Sequence, residues 1–98
     1  LGILGVGSWE SQSSPTNVTW DAYSLGGNGL WSWSWEVSVN GGAFQFVGSG
    51  SSYTRTILAG EQSNLTLRVT GTSLGESLVS TKSVTITPAQ ACGGLPSC

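Results

Sequence analysis

From Leu30 to Asn40, hydrophobic and polar side chains alternate at every step: Trp31, Trp33, Trp35, Val37 and Val39 hold one phase, and Ser32, Ser34, Glu36 and Ser38 the other. Successive side chains of a strand point to opposite faces, so this period predicts an antiparallel strand with one wet and one buried face. The run ends in Asn40-Gly41-Gly42. An Asn-Gly pair favours a tight hairpin, because both residues tolerate positive φ. The return strand is expected over Ala43 to Val47. Upstream, Asn17 to Tyr23 places Val18, Trp20 and Ala22 on one face, and Gly26-Gly27-Asn28-Gly29 turns the chain into the Trp-rich strand. Downstream, Tyr53, Arg55 and Ile57 alternate with Thr54 and Thr56, and Leu65, Leu67 and Val69 alternate with Thr66, Arg68 and Thr70. A turn through Ser73-Leu74-Gly75-Glu76 leads to a last strand over Ser77 to Thr87, carrying Val84 and Ile86. Pro88, lacking a backbone N–H, should end its pairing. Ile3 to Trp9 supplies a first strand.

No segment keeps a helical period, so the chain is expected to be all-β, with about seven short strands at sandwich spacing. Its 98 residues suffice for one modest core. That core is expected to hold Val18, Trp20, Trp33, Trp35, Val37, Val39, Leu65, Leu67, Val69, Val84 and Ile86. The indoles could instead form a row for stacking on sugars, but Val37 and Val39 share their phase and valines make poor sugar platforms. Burying one indole removes about 150–250 Å² from water, at most roughly 4–6 kcal/mol. A domain this small would forfeit much of its driving force by leaving three such rings exposed. Trp31, at the strand's entry, is expected at the sandwich rim.

Composition narrows the function. Charged residues are 8% of the chain, against about 25% in an ordinary soluble domain. Ser, Thr and Gly carry most of the polarity. The net charge is −2, and the only cations are Arg55, Arg68 and Lys82. Nucleic acid, which needs clustered Lys and Arg, is therefore not expected as a partner. Neither is membrane insertion, for want of basic clusters or a long apolar run. The Leu1–Val6 stretch is short, broken by glycine and without a basic flank, so it does not read as a signal peptide. A chain without an initiator Met is expected to be a processed protein or an excised domain.

The residues resemble a known group. A Trp-rich strand, an Asn-Gly-Gly hairpin, Gly-Ser-Gly-Ser-Ser-Tyr-Thr, then Leu-Thr-Leu-Arg-Val-Thr and a closing Ser-Val-Thr-Ile resemble bacterial immunoglobulin-like domains. The nearest are the polycystic-kidney-disease (PKD)-type modules of secreted and cell-surface proteins. The likeness runs from about Val18 to Thr87 and rests on structural motifs. It implies an immunoglobulin-like antiparallel β-sandwich over residues 1–98. Residues 1–9 would be a leading or partner-docking strand, 16–87 the sandwich and 88–98 a tail. Two features depart from the pattern. The Asp-Gly signature after the third strand is replaced by Glu36-Val-Ser-Val-Asn40, and Trp20 and Leu67 stand where an antibody-type disulfide would join two strands. Such domains mostly act as spacers, adhesive modules or structural subunits, and fold alone does not choose among these.

Catalysis is not expected. There is no His, and Glu10, Asp21, Glu36, Glu61 and Glu76 are scattered singly, whereas acid–base work needs a His or paired carboxylates. No serine has a credible base. A calcium site built on Asp21 and the glycine-rich loop would lack an acidic loop motif, so no metal or cofactor is expected. Cys92 and Cys98 enclose a short Gly-Gly-Leu-Pro-Ser loop whose closure as an intrachain disulfide is easy and would add roughly 2 kcal/mol. Free thiols or a bridge to a neighbouring subunit are the alternatives. A disulfide implies an oxidising, extracellular or cell-surface location.

Three sets of residues could carry function. Leu1, Ile3, Leu4 and Val6 place apolar groups on both faces of the leading segment, which is either an ordinary edge strand or a strand donated to another copy. Trp9, Tyr23 and Trp31 could form a glycan-contacting rim. Asn17-Val18-Thr19 and Asn64-Leu65-Thr66 match the N-glycosylation sequon. The expected protein is a non-catalytic structural or adhesive module, such as a repeating subunit of a surface filament or assembly, with other copies or adjoining domains as partners. A carbohydrate-binding module is the alternative.

Overall fold

The computed structural model describes residues 2–24, 31–73 and 75–88. They form eight strands: β1 (Gly2–Leu4), β2 (Ser8–Ser11), β3 (Thr16–Tyr23), β4 (Ser32–Val39), β5 (Gln45–Ser49), β6 (Ser52–Ile57), β7 (Ser63–Ser73) and β8 (Glu76–Pro88). Among the described residues there is no helix. The strands make a sheet of order β1-β3-β6 and a sheet of order β2-β8-β7-β4-β5, stacked as a sandwich. The expected all-β class and two-layer arrangement are present.

Period two governs the elements most strongly in β7, where every second residue from Ser63 to Ser73 is buried. Leu65, Leu67 and Val69 face inward there, while Asn64, Thr66, Arg68 and Thr70 face outward. In β4, Trp35 and Val37 are buried opposite Val69 and Leu67. Beside them in β8, Val84 and Ile86 are buried. Val18 and Trp20 of β3, with Tyr53 and Ile57 of β6, complete the cluster from the other sheet. The Tyr53 ring lies 6.0 Å from that of Trp20 and 5.8 Å from that of Trp35, joining the layers through an aromatic chain. Both buried indoles are satisfied: Trp20 Nε1 donates to the Val6 carbonyl at 2.9 Å, and Trp35 Nε1 to that of Gly50 at 2.8 Å. A buried donor left unpaired would offset much of the gain from burying its ring.

The leading segment departs from expectation. The single strand predicted over Ile3 to Trp9 is two strands in different sheets. β1 pairs antiparallel with β3, while β2 pairs parallel with β8. Gly5, at φ 139°, makes the break. An added Cβ there would stand 2.4 Å from Trp20 Cδ1, so glycine is needed both for the backbone angle and for the indole beside it. The sandwich thus has eight strands, and it is not wholly antiparallel.

The hairpin forms where Asn-Gly predicts it, with Asn40 at φ 52° and Gly41 at φ 77°. The return strand starts later than expected, at Gln45. Gly42 to Phe44 are taken up by the turn, where Ser38 Oγ donates to the Gly42 carbonyl at 2.7 Å and Phe44 lies 3.8 Å beneath the Arg68 guanidinium. A bulge between Trp35 and Glu36 shifts the β4–β5 register. Val39 needs correction as a core residue: it is 40% exposed. It is the last residue of β4, next to the Asn40-Gly41 turn, and is left open to solvent although its cross-strand partner Leu65 is fully buried. Trp33 is half-buried, packed against the core and stacked on Trp31 at 5.6 Å.

Candidate functional site

Of the aromatic residues considered as a glycan-contacting rim, Trp9 and Trp31 lie toward opposite ends of the five-stranded sheet. Trp9 sits in β2 beside Ile86, which pairs with Ser63 at one end of β7. Trp31 precedes Ser32, which pairs with Thr72 at the other end. At about 3.3 Å per residue, that separation along β7 is roughly 30 Å. Tyr23 is in the other sheet, its ring over Gly2, where an added Cβ would lie 2.5 Å from the phenol. Trp9 and Trp31 are themselves half-buried, with both indole N–H groups enclosed and unpaired. No row or groove of these rings exists among the described residues.

In the leading segment, Ile3 packs half-buried against the core of its own chain, whereas Leu4 is 56% exposed and Val6 is also exposed. Leu1 lies outside the described residues, as do Cys92 and Cys98 with their loop and Gly26 to Gly29. Asn17 and Asn64 are both exposed, each the second residue of its strand. Asn17 Oδ1 accepts a bond from Thr56 Oγ1 at 2.7 Å, and the Asn64 N–H donates to Asn40 Oδ1 at 2.8 Å.

The carboxylates stay apart in space as they are in sequence. Glu36 pairs with Arg68 at 3.0 Å, and Asp21 accepts a bond from Ser52 Oγ. Glu61 caps the backbone of Leu58 and the hydroxyl of Ser63. Among the described residues no group of three potential metal ligands converges. Among the described residues no helix is long and apolar enough to cross a membrane.

Among the described residues, one site-like feature involves a residue not singled out as a site from the sequence. On the side where β5 and β6 are the outermost strands of their sheets, a cavity of about 280 Å³ opens between Val37, Val39, Gly42, Ala43, Gln45, Val47 and Arg55. Arg55 occupies the inward phase of β6 between buried Tyr53 and Ile57. Its Nη1 donates weakly to the Tyr53 hydroxyl at 3.4 Å, and its Nε is enclosed with no partner. The alternation of Tyr53, Arg55 and Ile57 held the signal: a lone charge on the apolar phase of a strand. Comparison of the chain with models of protein families, with curated proteins and with solved structures found no match to any of them.

Proposed function

We propose that this chain is an immunoglobulin-like, non-catalytic module of an extracellular or cell-surface protein, related in kind to the PKD-type domains. It serves a structural or adhesive role through contacts with other copies or adjoining domains. The observation that carries this reading is the divided leading strand. With β1 beside β3 and β2 parallel to β8, the orders β1-β3-β6 and β2-β8-β7-β4-β5 support an immunoglobulin-like reading, in which one edge strand would be missing. On that reading Trp20 and Leu67, both fully buried, would stand where antibody domains carry a disulfide. The sparse charge and the Ser- and Thr-rich outer faces suit an extracellular surface.

Assembly through the leading strand has a physical basis. β1 is held by only three paired residues and is followed by Gly5 and Gly7, so moving it to the β3 of a second copy would preserve every pairing while linking the copies. Size-exclusion chromatography with light scattering tests this. The full chain should run as a multimer, and a chain lacking residues 1–4 as a folded monomer with its near-UV tryptophan signal retained. Equal masses for the two folded chains would refute exchange of the strand.

A further inference from the structure

The cavity beside β6 holds a cation with nothing to neutralise it. Of the chain's three cations, Arg68 is paired with Glu36, but no described carboxylate reaches Arg55. Its enclosed Nε lacks a partner and its Nη1 has only the long bond to Tyr53. A guanidinium drawn in from water with unmet donors is unfavourable unless an anion joins it. The walls explain which anion would. Val37, Val39 and Val47 line the space, and Val39 and Val47 remain exposed to solvent around it, so an apolar stem would be enclosed while its charged end met the arginine. A phosphate or sulfate would leave the exposed valines uncovered.

We propose that this cavity binds an aliphatic carboxylate, the Arg55 guanidinium holding the carboxylate and the three valines enclosing the stem. The guanidinium presents its donors as a planar fork that matches a carboxylate. The carboxylate could come from a free short-chain acid or from a Glu side chain on an extended peptide. The second source fits the open side of β6: a strand laid there would place an inward acidic residue opposite Arg55, and its flanking aliphatic residues against the valines. This site is independent of leading-strand exchange, which involves β1 and β3.

The test is an NMR titration of the full chain, following the Arg55 Nε–H and the methyl groups of Val37 and Val47. The probes are hexanoate and a blocked Val-Thr-Glu-Thr-Val peptide, with hexan-1-ol and hexylamine as controls. Saturable shifts from either carboxylate, weakened at least about tenfold by Arg55→Met, are expected, since a charge-assisted hydrogen bond is lost. Tighter binding of the peptide, with slowed exchange of the β6 amides, assigns the carboxylate to a strand. Tighter binding of hexanoate assigns it to a free acid. Val47→Trp, which leaves Arg55 in place and fills the cavity, should block both probes and serves as the second variant if Arg55→Met does not fold. The proposal is overturned if neither carboxylate gives a saturable shift, if hexan-1-ol binds as well as hexanoate, or if the folded variants bind like the parent.

Discussion

Gly5→Ala tests how the leading segment is held. At φ 139° the backbone is in a region that side-chain-bearing residues rarely adopt, at a cost of about 1–3 kcal/mol. The new methyl would also lie 2.4 Å from Cδ1 of the fully buried Trp20, and overpacking of that kind costs about 1–3 kcal/mol. The chain has one escape, which is to undock β1. That forfeits the partial burial of Ile3, about 1 kcal/mol, the Trp20–Val6 hydrogen bond, about 1 kcal/mol, and the short β1–β3 pairing. Staying docked would cost about 2–6 kcal/mol, and undocking caps the loss at about 2–4 kcal/mol, or roughly 10–20 °C in Tm for a domain of this size. Gly7 provides the control, because its nearest neighbour to an added Cβ is the Ser83 carbonyl at 3.9 Å and its φ is ordinary. Gly7→Ala should leave stability unchanged or raise it by a few tenths of a kcal/mol. Urea denaturation followed by tryptophan fluorescence measures both, and hydrogen exchange at Gly2 to Leu4 reveals whether β1 has come away. Equal midpoints for the two variants would refute the role assigned to Gly5.

Other substitutions probe the core and the outer face. Trp35→Ala removes a fully buried ring whose N–H bonds Gly50 and should cost about 3–5 kcal/mol in chemical denaturation. Ser11→Ala leaves the Glu61 carbonyl without the bond it accepts at 2.9 Å from a buried hydroxyl, and should cost about 1 kcal/mol in the same assay. Arg68→Ala should cost less than about 1 kcal/mol despite losing both an ion pair and a ring contact. Its side chain and that of Glu36 are each about a third exposed (34% and 30%), so solvent screens the pair; a shift in the urea midpoint worth more would refute that.

Two close glycine approaches occur in the leading segment. Gly2 lies beneath the Tyr23 ring and Gly5 beside the Trp20 indole. Side chains at these positions would hold β1 off β3 and open the edge of the core. The apolar leading sequence is thus matched residue by residue to the aromatic surface of β3, whether that surface belongs to its own chain or to a second copy.

Alternation of side chains is a local property, and the sequence by itself determined whatever depends on it. The phases of β3, β4 and β7, the Asn-Gly hairpin and the all-β class follow from neighbours along the chain. Tertiary structure decided what depends on coverage. Val39 keeps the phase of Trp35 yet stays exposed at the end of β4, because burial requires an opposing layer as well as the right phase. Ile3 and Trp9 read as one strand but belong to different sheets, since no local pattern records where a chain crosses between layers. The same applies to Trp9 and Trp31, which the sheet sets toward opposite ends, and to Arg55, whose isolation appears only once every described carboxylate has its place. Sequence spacing sets which way a side chain points, whereas the widths and edges of the packed sheets set what it meets there.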